Sequence, residues 1–220
     1  MNRQKFLSTV GLSFLGAALL AGKKKKEAGL LTDCDDPITP PVPEGPFYKD
    51  EKLNRSDIRE AVKGTPIQYR FKVEDKHCNP IKGAIVDIWQ CDANGHYSDY
   101  EVEHTARQTW LRGHQQTDQL GQCSFMSIFP GWYANRITHL HAKVHIENKT
   151  VITTNFFFPK EIEHEVYQSP LYPNGQNPIK VLEDIELRVD KDNKRHDTLV
   201  MRVTRDKNGS LVANYTIAVA

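Results

Sequence analysis

Ile137-Thr-His-Leu-His-Ala-Lys-Val-His-Ile146 is the stretch that decides how this chain is read. Its residues favour an extended backbone, and a strand sends side chains i and i+2 to the same face. His139 and His141 are therefore expected to project together, with Ala142 and Val144 among their neighbours. Two imidazoles held side by side make half of a metal site. An isolated His-x-His more often sits on a solvated strand face. Its company favours chemistry here. Phe129-Pro-Gly-Trp-Tyr133 and Arg136 stand just upstream, and a second tyrosine ends the turn Asn94-Gly-His-Tyr97.

Outward from this stretch the extended pattern recurs. Ile67–Val73 alternates apolar and polar residues, as a half-buried strand does. Ala84–Trp89, Cys123–Phe129, Val151–Phe158, Thr198–Thr204 and Leu211–Ala218 are further strands, the last two joined as a hairpin around Asp206–Gly209. Asn54–Glu60, with Ser56 as N-cap, is expected to make one helical turn. The segment 159–178, full of Pro, Asn and Gly, reads as a loop. Short strands between Gly and Pro turns predict an all-β fold, an antiparallel β-sandwich with long loops, over residues 44–220.

Composition agrees. The 220 residues suffice for one domain of ordinary size. A hydrophobic content of 39% with twelve prolines suits a loop-rich β protein better than a helical bundle. A net charge of +1 makes no strong electrostatic case for nucleic acid.

Met1-Asn-Arg-Gln-Lys5 followed by the apolar run Phe6–Ala21 reads as a secretory signal over 1–22. The run is shorter than the ~20 residues of a comfortable bilayer span, so membrane contact is confined to an N-terminal anchor if the segment is retained. Leu19-Leu-Ala-Gly22 resembles the start of a lipoprotein signal, but Lys23 stands where the lipidated Cys belongs, which argues against lipidation. Residues 23–43, polar and then Pro-rich, predict an extended linker. Export to the periplasm, cell envelope or exterior is the expectation. Cys34, Cys78, Cys91 and Cys123 would then form up to two disulfides, in any of three pairings.

One ordered set of motifs carries a resemblance. Gly83-Ala84-x-Val86-Asp-Ile-Trp89, Gly95-His-Tyr97-Ser98, Leu111-Arg-Gly113, Thr117-Asp118, Phe129-Pro-Gly-Trp-Tyr133 and Arg136-x-x-His139-x-His141 resemble intradiol ring-cleavage dioxygenases, over about residues 39–159. The likeness is to the compact, exported branch that lacks a helical N-terminal domain. It implies one non-haem Fe(III) per chain, held by Tyr97, Tyr133, His139 and His141. Fe(III) favours anionic oxygen donors, and two tyrosinates with a hydroxide balance its charge. A catechol bound as its dianion would displace the hydroxide and one tyrosinate, and Tyr133 is the ligand implied to leave and take a proton. The implied reaction adds both atoms of O2 and breaks the bond between the two hydroxyl-bearing carbons, giving a muconate-type dicarboxylic acid.

Arg136 stands at the position implied to stabilise charge developing on the substrate. Asn155 falls where the family more often has Gln. Gly45-Pro46-Phe47 resembles a segment that lines the substrate pocket, so Pro46 and Asn155 are candidate substrate contacts. Arg107, Arg112 and Lys63 are candidates to meet a ring carboxylate. His77, His96, His104, His114, His145, His164 and His196 carry no implied role, and Asp184–Arg188 and Lys191–Arg195 read as solvated charge. Two other classes fit part of the pattern. An exported, non-catalytic sandwich would bind sugars or proteins and be colourless. A zinc hydrolase would use His139 and His141 with another ligand.

Overall fold

A computed structural model describes residues 38–180, 183–186 and 196–220. The signal segment 1–22, most of the 23–43 linker, Cys34 and Lys191–Arg195 lie outside the described residues.

Strand β1 (Pro66–Asp75) shows how sequence becomes architecture. Its alternation buries Ile67, Tyr69, Phe71 and Val73 on one face and turns Gln68, Arg70 and Lys72 to the other. The strands β2 (Ile85–Trp89), β3 (Arg112–Gln116), β4 (Gln122–Ile128), β5 (His139–Ile146), β6 (Lys149–Phe157), β7 (Arg202–Arg205) and β8 (Leu211–Val219) complete the set among the described residues. They form two four-stranded sheets, ordered β4-β1-β8-β7 and β3-β2-β5-β6. Neighbours are antiparallel except β1 and β8, which run parallel from Ile67↔Leu211 to Asp75↔Val219.

The core lies between the sheets. Phe71 of β1 meets Phe156 of β6 with ring centroids 5.4 Å apart, beside buried Val86, Ile88, Leu140, Ala142 and Val144. Each of these side chains larger than alanine contributes roughly 1.5–3 kcal/mol by leaving water. Period two then puts Asp87, Trp89, His139, His141, Lys143 and Asn155 on the opposite face of the second sheet. That face is the floor of the site.

Several local expectations are corrected. Asn54–Glu60 makes no helical turn. Ile58 is fully buried, and the segment lies along the sheets through Arg55 N donating to His114 O and Ile58 N to Met126 O. The end of the expected linker is docked: Thr39 N donates to Ala218 O of β8 and Val42 N to Thr153 O of β6, each at 2.9 Å. Helix α1 (Lys160–Val166) opens the segment read as a loop, with Glu161 and Glu163 favourably placed in its first turn. A 3₁₀ turn (His196–Leu199) precedes β7 where one strand was expected. Cys78 is disulfide-bonded, whereas Cys91 and Cys123 are free thiols, so a second disulfide is not formed.

Removing the inter-sheet ring should be costly. Phe156→Ala is expected to lower stability by about 3–5 kcal/mol, while Val151→Ala, exposed on the same strand, should stay within about 0.5 kcal/mol. Urea titrations followed by circular dichroism give both values.

Candidate active site

Strand β5 supplies the two histidines. Both rings are buried, and their Nε2 atoms stand 3.0 Å apart. Tyr133 Oη reaches to 3.2 Å from His139 Nε2. The Tyr97 ring lies 5.7 Å from that of Tyr133 and 6.1 Å from that of His141, centroid to centroid. The expected four residues thus come together on one sheet face.

Loops supply the tyrosines, and they are bolted to each other. Asp92 Oδ1 accepts from the backbone N–H groups of Asn94 and His96, and its carbonyl accepts from Gly131 N. Gly95 has φ +90°, and a Cβ there would lie 2.4 Å from Trp132 O, so only glycine allows this approach. The segment that follows β6 holds the Tyr133 loop from the other side. Tyr172 Oη donates to Phe129 O, Tyr167 Oη to Pro130 O and Trp132 Nε1 to Gly175 O. Asn177 Nδ2 donates to Arg136 O.

Aromatic rings close the site. Trp89 stacks on His141 at 4.8 Å and Phe47 on Tyr97 at 4.2 Å, each with planes 7° apart. Pro46, expected to touch substrate, is exposed, and its carbonyl accepts from Tyr100 Oη. Arg112 is buried beneath Phe47. Its Nε donates to Ser98 Oγ, Nη2 to Ser98 O and Nη1 to Phe47 O. Arg107 and Lys63 are exposed.

Arg136 is buried and fully engaged. Its Nε donates to both carboxylate oxygens of Asp184 (2.9 and 3.1 Å), Nη2 to Asn155 Oδ1 (2.7 Å), and Nη1 pairs with Glu186 Oε1 (2.9 Å). Nη1 also lies 3.5 Å from Tyr133 Oη. Burial opposes the charge, but Tyr133, Asp184 and Glu186 outweigh it and raise the Arg136 pKa. Asp184 and Glu186, read from sequence as solvated, therefore belong to the site. No local pattern marks them; the fold brings them here from beyond β6.

Protonation follows from these contacts. Burial holds His139 and His141 well below the ordinary imidazole value, with Arg136 adding to the effect, so both are neutral. His139 Nδ1 lies 2.5 Å from Ile137 O and must donate to it, leaving Nε2 as acceptor. Arginine only donates, so Asn155 faces Arg136 with its oxygen and His141 Nδ1 with its NH₂ at 2.9 Å. His141 then carries its proton on Nε2. Burial also pushes the phenols of Tyr97 and Tyr133 far above their usual value.

The donors fit a cation. Two ligands at right angles, each about 2.1 Å from one ion, stand about 3 Å apart, as the two Nε2 atoms do. Tyr97 Oη is buried with no hydrogen-bond partner, a defect of roughly 1–3 kcal/mol that a cation would remove. A cation on His141 Nε2 would displace its proton toward Nδ1 and break the bond from Asn155. No group of three or more His, Cys, Asp or Glu suited to a metal occurs among the described residues, so the oxygen donors available here are phenols. A cavity of about 1290 Å³ lies elsewhere, over Arg70, Lys72, Ser124 and Asn214.

Comparison with known proteins agrees with this geometry. A family model described as "Dioxygenase" matches residues 42–172. A catechol 1,2-dioxygenase of Candida albicans is 28% identical over 182 residues, covering 71% of this chain and 54% of that protein. A 6-chlorohydroxyquinol 1,2-dioxygenase of Cupriavidus pinatubonensis is 29% identical over 134 residues, 58% of this chain and 44% of that protein. The chain thus spans about half the length of these relatives. The solved structure of an intradiol ring-cleavage dioxygenase from Tetranychus urticae superposes with a TM-score of 0.74 at 27% identity, covering 83% of this chain and 94% of the other.

Asp87, two residues before Trp89 on the site face, is titratable near neutrality. Burial pushes its carboxyl up to about 7, although Tyr48 Oη donates to it at 3.1 Å. Between its ordinary value of 3.8 and about 7 the folded state binds the extra proton, so this group's contribution to stability falls as pH rises. Asp87→Asn should remove that dependence. Its stability relative to the wild type is expected to be higher at pH 8 than at pH 4, as read from urea midpoints.

Proposed function

The chain belongs to the intradiol ring-cleavage dioxygenase family, and from that premise we propose that it is a non-haem Fe(III) enzyme that cleaves a catechol with O2. Tyr97, Tyr133, His139 and His141 would hold the ion. The observation that carries the reading is the convergence of these four side chains, with Tyr97 Oη buried and unpartnered. Ferric iron held there would supply the Lewis acidity and redox capacity that couple a catechol to dioxygen. Both oxygen atoms enter the product, and the carbon–carbon bond between the hydroxyl-bearing carbons breaks, giving a muconate-type diacid.

The chain's own residues have separable roles. Tyr97 is fully buried beneath Phe47, whereas Tyr133 is only partly buried. Tyr133 is therefore the phenol with room to move, and its Oη is the atom to accept a catechol proton. Arg136 Nη1, 3.5 Å from that oxygen, keeps a positive charge beside it and beside a catecholate. Trp89 and Phe47 cover His141 and Tyr97 and keep water from them. Asn155 is held between Arg136 and the His141 ring, so it is a positioning residue, for Arg136 throughout and for His141 before the metal enters, rather than a substrate contact. Export belongs to the same proposal, supported by the disulfide at Cys78, since such bonds persist in oxidising compartments.

Purified with Fe(III), the protein should be red-brown from tyrosinate-to-iron charge transfer, and anaerobic catechol should move the band to longer wavelength. A colourless protein that binds iron poorly would favour a binding module instead. Tyr97→Phe or His141→Ala should reduce iron retention or turnover by more than the ~10–100-fold that loss of a supporting hydrogen bond costs. Wild-type colour and turnover in either variant would refute the ligand set.

A further inference from the structure

We infer that Glu186 sets the substrate class of this centre: a catechol without an anionic ring substituent, presenting a hydrogen-bond donor to Glu186 Oε2. The inference rests on the proposed catechol-cleaving function and adds which catechols the site accepts.

The position of Glu186 follows from three contacts. Its Oε1 pairs with Arg136 Nη1 at 2.9 Å, and that nitrogen lies 3.5 Å from Tyr133 Oη. A Cβ built on Gly45 would sit 3.1 Å from Glu186 Oε1 and 3.6 Å from His141 Cε1. The carboxylate is thus wedged among Arg136, Gly45 and the side of the site formed by Tyr133 and His141. Its second oxygen, Oε2, is buried and has no hydrogen-bond partner. A buried carboxylate oxygen without a partner is unfavourable, and a neutral donor such as a hydroxyl relieves it.

Charge decides what else can enter. Arg136 is ion-paired with two carboxylates, Asp184 and Glu186, and its Nη1 is turned to Tyr133 Oη, so its charge serves that oxygen rather than a substituent farther out on the ring. Arg112 meets no carboxylate among the described ion pairs, but it lies on the Tyr97 side of the site, 6.0 Å from that ring, with Nε, Nη1 and Nη2 each donating to Ser98 or Phe47. Lys49 and Lys143 are paired with Asp99 and Glu44. A carboxylate on the substrate ring that faced Glu186 would have no unpaired cation beside it among the described residues to offset the repulsion, and like charges in a desolvated site cost far more than in water.

The test is anaerobic binding to the Fe(III)-loaded protein, read as the shift of the visible band and needing no turnover. The ligands are catechol, 1,2,4-trihydroxybenzene and 3,4-dihydroxybenzoate. The wild type should bind 1,2,4-trihydroxybenzene, whose third hydroxyl can donate to Glu186, more tightly than catechol, and both at least about tenfold more tightly than the benzoate, a factor that corresponds to roughly 1.4 kcal/mol. In Glu186→Gln, which keeps size and loses charge, that gap should close to within about threefold. Equal affinities in the wild type would overturn the inference without any variant, and so would an undiminished gap in Glu186→Gln. If no catechol shifts the band, the proposed function itself fails and Glu186 loses its role with it.

Discussion

Burying the guanidinium of Arg136 is the constraint on which the site depends. Arginine does not shed its charge, so the fold must surround it with acceptors. Asp184 comes from the segment beyond α1, Asn155 from β6, and Glu186 from two residues after Asp184. Asp184 also accepts from Ile137 N, which fixes the backbone two residues before His139. Taking away one partner of such a pair leaves an uncompensated buried charge, typically about 3–5 kcal/mol. The effect runs further. Because Arg136 can only donate, it orients the Asn155 amide, and that amide selects which nitrogen of His141 bears the proton.

Strands and loops divide the labour. His139 and His141 sit on β5, held between β2 and β6 by ladders on both sides. Tyr97 and Tyr133 sit on connections, where a side chain can be enclosed or left room by local packing. The interlocked turns at Gly95 and Gly131 keep those connections together, since added side chains would collide with Trp132 O and Asp92 O. The two imidazoles and the two phenols therefore come from different levels of the architecture.

What could be read from the chain follows the range of the interactions. The alternation at Ile67–Val73 and Ile137–Ile146 is local, and it located β1, β5 and the shared face of the histidines. The ordered motifs located Tyr97, Tyr133 and Arg136 as well. Strand β3 escaped because Arg112–Gln116 is polar throughout and owes its conformation to pairing with β2. Ser56 resembled a helix cap, but burial of Ile58 won over that local preference. Asp184 and Glu186 had the composition of solvated charge; only the approach of Arg136 across the fold reverses that, and no short window of sequence contains it.

The parallel pairing of β1 with β8 has a consequence for how the protein is made. These strands lie far apart along the chain, yet β8 fills the place between β1 and β7. Until the ribosome has released Leu211–Val219, the edge of β1 opposite β4 carries open N–H and C=O groups. Such an edge is a template for pairing with another chain. The nascent polypeptide thus presents this open strand edge before the natural partner exists, and closing that long loop slows folding. Yield in the cell is then set by protection of β1 during synthesis, as well as by the stability of the finished sandwich.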